Sequence, residues 1–151
     1  MKIVVLADAQ NRGKSAAIKC AAEVFACKPG YTVIDRTKAS QIDWDITVRS
    51  SAGIRIAFCS GGDYLDMIDD NIEYAQKHEC DILVSAARSK GAGFKRIARF
   101  MQEKGNAGLI LKAIDFYEDE NFLSDNQNNH AAITWLTVRH LMRVIEYVMS
   151  K

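Results

Sequence analysis

Residues 2–15 read KIVVLADAQNRGKS and carry the strongest structural signal in the chain. Residues 2–7 form a short apolar run, which is typical of a buried β-strand. From Lys14 to Cys27 the pattern changes, because apolar residues recur every three or four positions, as on one face of a helix. Pro29-Gly30 ends that helix. The sequence therefore predicts a strand, a polar loop and a helix in immediate succession.

Strand and helix patterns alternate along the rest of the chain. Further strands are predicted at residues 31–34, 46–49, 54–58, 81–86 and 107–114, and further helices at residues 64–78, 91–104 and 130–149. The linker Ser50-Ser51-Ala52-Gly53 predicts a hairpin between the third and fourth strands. This order predicts an α/β fold with three layers, in which a mainly parallel sheet of five to six strands carries helices on both faces. No linker or repeat divides residues 1–151, which we expect to form a single domain.

The bulk composition excludes several classes of protein. Of the 151 residues, 48% are hydrophobic and 26% charged, and the formal net charge is +1. A charge this small provides no general attraction for nucleic acid, which we do not expect as a partner. No run approaches the roughly 20 apolar residues of a membrane span. Asp8 also interrupts the first apolar run too early for a signal peptide, so a cytoplasmic protein without a membrane partner is expected.

The cysteines and tryptophans are expected to be structural. No pair of cysteines has the spacing of a redox motif or a zinc site, so buried free thiols are predicted. These cysteines are Cys20, Cys27, Cys59 and Cys80. Trp44 and Trp135 are expected to anchor the core.

The tripeptide Gly13-Lys14-Ser15 lies between the first strand and its helix. A turn that contains glycine allows backbone N–H groups to point at an anion, and the start of a helix adds unpaired N–H groups and a positive dipole end. Lys14 would then lie over the outer phosphates of a ligand, and Ser15 would bind Mg²⁺. The segment predicts a phosphate-binding loop.

Residues 8–15 have the pattern D-x-x-x-x-G-K-S, which resembles the Walker A motif of the P-loop NTPase superfamily, G-x-x-x-x-G-K-[ST]. Asp8 replaces the first glycine of the motif and brings a carboxylate near the phosphates. The resemblance implies a P-loop NTPase-like fold that binds Mg²⁺ and ATP or another nucleoside triphosphate. The nucleotide-binding residues it implies are Asn11, Arg12, Gly13, Lys14, Ser15 and Ala16.

Asp63 is the candidate acidic partner of this loop. P-loop enzymes carry an acidic residue near the end of a neighbouring strand, where it acts on Mg²⁺ directly or through water. Asp63 follows the strand at residues 54–58 after the loop Ser60-Gly61-Gly62. The alternative is that Asp63 only caps the next helix, with its carboxylate on unpaired N–H groups.

Arg88 follows the strand at residues 81–86 and begins a basic segment with Lys90. Arg88 would neutralise negative charge in the transition state of phosphoryl transfer, and Gly91 and Gly93 would allow the segment to move as a lid. The alternative is a solvated basic helix face with a flexible turn.

Two functions follow from these residues. The first is an ATP–Mg²⁺-binding P-loop protein, either an NTPase or a small kinase-like phosphotransferase, with Lys14, Asp63 and Arg88 catalytic and Ser15 and Asp63 on the metal. The second is a non-catalytic binding or regulatory module with a degenerate phosphate site, in which case the chain is not an enzyme. The apolar stripe of the helix at residues 130–149 could also pair with a second copy of the chain.

Overall fold

The computed structural model describes residues 1–8, 13–40, 42–112 and 126–151, with the side chains of all of these except 126–133. Within these residues the chain forms six β-strands and four α-helices around one mixed sheet, and the fold is α/β. The elements in chain order are β1 (Lys2–Asp8), α1 (Lys14–Cys27), β2 (Tyr31–Lys38), β3 (Trp44–Ser50), β4 (Arg55–Cys59), α2 (Leu65–Lys77), β5 (Ile82–Arg88), α3 (Ala92–Glu103), β6 (Gly108–Lys112) and α4 (Asn126–Met149).

The sheet has the strand order β2-β3-β4-β5-β1-β6. Strands β4, β5, β1 and β6 run parallel to one another, whereas β3 is antiparallel to both of its neighbours, β2 and β4. The expectation of a mainly parallel sheet with one hairpin therefore missed the antiparallel pairing of β2 with β3. Only residues 39–43 connect these two strands, and so short a connection fits an antiparallel pair, because a parallel pair needs a crossover of a dozen or more residues.

Each face of the sheet packs against its own pair of helices. Helices α1 and α4 cover one face, where Phe25 and Phe58 lie 5.5 Å apart between ring centroids. Helices α2 and α3 cover the other face, where Ile68 and Ile97 are fully buried. The strands between these two cores carry apolar side chains on both faces, as expected for the buried centre of a sheet.

Several element boundaries differ from the predictions. Helix α1 covers the predicted residues 14–27, but β2 extends four residues beyond the predicted end at Ile34. Helix α4 begins at Asn126, before the predicted start at residue 130. The described part of β6 ends at Lys112. Residues 113–114, which were also predicted to belong to this strand, lie outside the described residues.

Some side chains expected in the core are exposed. Trp44 is 37% exposed and Trp135 is 49% exposed, so the prediction that both anchor the core is wrong. Among the cysteines, Cys59 and Cys80 are buried free thiols as predicted, whereas Cys20 is half-buried and Cys27 is exposed.

The topology brings three strand ends to one edge of the sheet. β4, β5 and β1 are adjacent and parallel, so their carboxyl ends lie side by side, with Asp8 opposite Arg88 in the β1–β5 register. Helix α1 follows β1 on one face and α3 follows β5 on the other. In open α/β sheets, ligands bind in the crevice at such a switch point. None of the described helices is both long and apolar enough to cross a bilayer.

Candidate functional site

Lys14 is buried at the start of α1, beyond the carboxyl end of β1. Gly13 precedes it with φ 74°, a left-handed conformation that favours glycine, and its carbonyl accepts a hydrogen bond from Ala17 N at 2.9 Å. The Lys14 side chain is only 5% exposed. The first turn of α1 contains no acidic residue, so its positive dipole end is not neutralised there. Asn11 and Arg12, which were predicted to bind nucleotide, lie outside the described residues.

Asp63 lies between two cations that come from different strand ends. Its Oδ1 atom is 3.7 Å from Nζ of Lys14 and 3.7 Å from Nε of Arg88. The guanidinium carbon of Arg88 also lies 5.3 Å from the ring centroid of Tyr64. Asp63 is 33% exposed and Arg88 is 35% exposed, so solvent screens part of these attractions. The structure thus brings the three predicted catalytic residues together around one carboxylate oxygen.

Ser15 is the first member of a chain of hydrogen bonds that crosses the edge of the sheet. Its Oγ donates to the carbonyl of Ser60 at 2.8 Å. The Oγ of Ser60 donates to Oδ1 of Asp43 at 3.1 Å and accepts from the backbone N–H of Trp44 at 2.9 Å. Oδ2 of Asp43 in turn accepts from Oγ of Ser40 at 3.2 Å. Asp43, which is 5% exposed, is therefore linked to the start of α1.

The loop before Asp63 is held by close backbone packing. A Cβ atom on Gly62 would collide with the carbonyl of Ala86 on β5, so only glycine fits there. Asn71, buried in α2, donates from Nδ2 to the carbonyl of Gly61 at 2.7 Å and to Oγ of Ser85 at 2.9 Å. These contacts fix Asp63 relative to β5 and therefore relative to Arg88.

The described residues form two clefts at this edge of the sheet. The first cleft has a volume of about 420 Å³ and is lined by residues 13–16, Ser40, Ile42, Asp43, residues 62–64 and Met67. The second cleft has a volume of about 190 Å³ and is lined by residues 62–65, Arg88 and residues 90–93. The two clefts share Gly62, Asp63 and Tyr64. Gly13, Lys14, Ser15 and Ala16 therefore line the first cleft with Asp63, whereas Arg88 lines the second.

Asp8 ends β1 rather than beginning the following loop. It is 4% exposed, and its carbonyl accepts a hydrogen bond from the N–H of Ser89 at 3.1 Å. Position 8, where the Walker A motif has a glycine that turns the chain, is here still extended and paired with β5. The departure in sequence thus coincides with a strand that runs one residue further than predicted.

Asp43 and Tyr64 line the first cleft but were not identified from the sequence. Asp43 comes from the loop before β3, where its backbone N–H donates to Oγ of Ser40 at 3.0 Å. A serine that accepts from a nearby backbone N–H is typical of a turn, and this local pattern was the one signal available. Its proximity to Ser60 depends on the pairing of β3 with β4, which local sequence does not determine.

Several titratable groups buried in the protein have altered pKa values. Burial raises the pKa of Asp45, on β3, to about 6, against the hydrogen bond with Cys59, and the neighbouring carboxylates Asp43 and Asp70 raise it further. Burial raises the pKa of Cys59 well above its usual value, and burial also raises that of Cys80. These thiols are therefore poor nucleophiles. Within the described part of the chain, no group of three or more His, Cys, Asp or Glu side chains is arranged to hold a metal ion.

Comparisons with protein families, with curated proteins and with solved structures find no match to this chain.

Proposed function

We propose that this chain is a cytoplasmic P-loop protein that binds ATP with Mg²⁺ and hydrolyses it or transfers its terminal phosphoryl group. The three-layer P-loop fold belongs to this proposal. The observation that carries it is the position of Lys14. A buried ammonium group follows a left-handed glycine at a helix start, lines the first cleft, and lies at the carboxyl edge of parallel strands. A lysine in such a place is suited to bind phosphate oxygens.

The size of the first cleft supports a small-molecule ligand. Its volume of about 420 Å³ falls within the roughly 300–1,000 Å³ of small-molecule sites. The N–H groups at the start of α1 and the side chain of Lys14 supply positive charge at one end. Ile42, Met67 and Tyr64 add apolar surface to the lining. This combination suits a ligand with an anionic part and an apolar part.

The oxygen atoms in the first cleft fit Mg²⁺. Mg²⁺ binds through one or two carboxylates and keeps its other positions for water and substrate phosphates, so it does not require a cluster of three acids. Ser15 and Asp63 would hold it, and Asp43 adds a second carboxylate to the lining. When bound, Mg²⁺ would neutralise charge on the phosphates.

Asp63 and Arg88 suit a phosphoryl-transfer reaction, in which negative charge develops on the transferred group. The carboxylate of Asp63 balances the buried ammonium of Lys14, and an incoming phosphate would compete for that ammonium. Arg88 lies on the other side of Asp63, where its charge would stabilise negative charge that develops on the transferred group. The residues of this chain thereby provide positive charge on both sides of the shared carboxylate.

The alternative is a non-catalytic module of the same fold. The position of Asp63 favours it, because its carboxylate is only 3.7 Å from Nζ of Lys14, where it opposes an anionic ligand. Asp8, which is buried at the end of β1, adds a second acidic side chain to this part of the molecule. Such a protein would act through contacts with other proteins, and measured turnover would exclude it.

Calorimetric titration with ATP and MgCl₂ tests the proposal. We expect saturable binding by the wild type, its loss in Lys14→Ala, and its retention in Lys77→Ala, which removes an exposed lysine at the far end of α2. Phosphate release above the Lys14→Ala background would then establish catalysis. If ATP, GTP and ADP all fail to bind to the folded wild type, the proposal is wrong.

A further inference from the structure

We propose that the second cleft is a separate binding site for the phosphate group of a small molecule. The cleft is lined by residues 62–65, Arg88 and residues 90–93, and it does not include Lys14 or Ser15. Binding there does not require nucleotide in the first cleft. The inference therefore goes beyond the proposed function and can hold where that function fails.

The charges that line the second cleft favour an anion. Arg88 and Lys90 both line it, and the first turn of α3 contains no acidic residue. Among the residues that line it, Asp63 is the one carboxylate, and it also lies 3.7 Å from Nζ of Lys14. Its negative charge is therefore shared with a cation outside the cleft. The residues that line the cleft thus carry two positive charges and one negative charge.

Arg88 lines the second cleft with a side chain that is held by two neighbours. Its Nε faces Asp63 at 3.7 Å, and its guanidinium carbon lies 5.3 Å from the ring centroid of Tyr64. Contact with an aromatic face restricts the guanidinium plane. A planar guanidinium that is already positioned suits the paired oxygens of a phosphate, because less side-chain entropy is lost when the ligand binds.

The backbone on the other side of the second cleft is also fixed. Gly91 has φ 97°, which favours glycine, and its carbonyl accepts from the N–H of Lys95 at 3.2 Å. A Cβ atom on Gly93 would lie 3.2 Å from Cγ1 of Ile68, so the first turn of α3 packs directly on α2. The backbone N–H groups of residues 91–93 are thus held beside the two cations.

The small size of the second cleft limits its ligand. Its volume of about 190 Å³ is below the roughly 300 Å³ at which small-molecule sites begin. A single phosphate group fits this space, whereas a whole nucleotide does not. The first cleft is more than twice as large, so the two clefts would select ligands of different size.

Titration of ¹⁵N-labelled protein with inorganic phosphate tests the inference. We expect the amide signals of residues 91–93 to shift and to saturate in the wild type. They should still do so in Lys14→Ala, at a higher phosphate concentration, because Asp63 then has one cation fewer beside it. Lys90→Gln should weaken this binding by roughly 3- to 10-fold, since it removes one charge from the contact with phosphate. The matched control is Lys95→Gln, which removes a charge from the same helix outside the cleft and should leave the affinity unchanged.

Each contrary result has a distinct meaning. The absence of any shift at residues 91–93 would overturn the inference. A shift that disappears altogether in Lys14→Ala would also overturn it, because the anion would then be bound in the first cleft. Lys14→Met keeps an apolar stem at the buried position and serves if the alanine variant does not fold. If Lys95→Gln weakens phosphate binding as much as Lys90→Gln does, phosphate is attracted by the general positive charge of this surface rather than bound in the cleft, and the inference is wrong. Equal saturation by acetate would refute a phosphate site.

The experiment also separates this inference from the proposed function. If ATP fails to bind but phosphate saturates at residues 91–93, the proposed function is wrong and the second site is supported. If ATP binds in a manner that depends on Lys14 but phosphate produces no shift at residues 91–93, the second site is refuted alone.

Discussion

Nζ of Lys14 and Oδ1 of Asp63 lie 3.7 Å apart, although Lys14 begins the helix after β1 and Asp63 belongs to the loop after β4. The parallel alignment of β4, β5 and β1 brings these two segments together at one edge. Lys14 is almost completely buried, whereas Asp63 is one-third exposed. The carboxylate therefore occupies the accessible side of a buried cation, in the position that an anionic ligand would need.

Asp63→Asn should strengthen the binding of inorganic phosphate in the absence of Mg²⁺. The substitution removes a negative charge that opposes phosphate, and we expect the affinity to rise by roughly 3- to 10-fold because the groups are only partly exposed to solvent. Calorimetry at low and high salt would measure this change. Asp66→Asn, at an exposed position in the first turn of α2, is the matched control. Weaker binding by Asp63→Asn would show that the carboxylate helps to hold the anion.

Gly62→Ala and Gly61→Ala should differ strongly in stability. A methyl group at position 62 would collide with the carbonyl of Ala86, so the backbone of one strand end must shift. We expect the free energy of unfolding to fall by about 1–3 kcal/mol or more. At position 61 the nearest atoms, those of Asp43, lie 3.6 Å from the added carbon, which is an ordinary contact. Urea denaturation of both variants measures the difference, and equal stabilities would contradict the close packing of Gly62 on β5.

Asp45→Asn should stabilise the protein at neutral pH but not at pH 4. Burial raises the folded-state pKa of Asp45 from 3.8 to about 6, so the folded state binds more protons between these values. The free energy of unfolding contributed by Asp45 therefore falls as pH rises from about 4 to 6. Above pH 6, the ionised Asp45 lowers the free energy of unfolding by about 3 kcal/mol.

Chemical denaturation between pH 4 and pH 8 tests this dependence. The stability difference between Asp45→Asn and the wild type should increase from about pH 4 to pH 6 and remain constant from there to pH 8. Glu73→Gln, which changes an exposed carboxylate on α2, should show no such trend. A difference that is the same at every pH would mean that Asp45 titrates as it does in the unfolded chain.

Asn71→Ala should weaken ligand binding in the first cleft as well as lower stability. Its amide donates to the carbonyl of Gly61 and to Oγ of Ser85, and loss of these buried bonds costs about 1–3 kcal/mol. Ser85→Ala removes only the second partner, so it should leave ATP binding closer to that of the wild type. If both variants reduce ATP affinity equally, the hydrogen bond from Asn71 to Gly61 has no separate role in ligand binding and the prediction is wrong.

Local signals were sufficient to predict α1 and the ends of the central strands. Gly13 and Pro29 mark the limits of α1, and uninterrupted apolar runs mark β1 and β5. Because these two strands are parallel, the sequence also indicated that Arg88 and the segment Gly13-Lys14-Ser15 share one edge of the sheet. The β1–β5 register, with Asp8 opposite Arg88, confirms this position.

Long-range packing determined the parts that the sequence did not predict. Strand β2 lies at the edge of the sheet and is exposed along most of its length. Its second half contains polar residues such as Asp35 and Arg36, so the alternation of apolar and polar residues that indicates a strand is missing there. Asp43 reaches Ser60 only because β3 pairs with β4. Lys14 and Arg88 line different clefts, and the segment that the two clefts share, residues 62–64, comes from a loop whose shape the local sequence does not determine.

The hydrogen bond between Trp44 and Ser60 gives the molecule an intrinsic optical reporter. The backbone N–H of Trp44 donates to Ser60, whose carbonyl accepts from Ser15 in the first cleft. The indole is 37% exposed, so movement of this loop would change its surroundings and its fluorescence. With Trp135 replaced by phenylalanine, Trp44 would be the single tryptophan in the chain. Occupancy of the first cleft could then be followed in real time without a label.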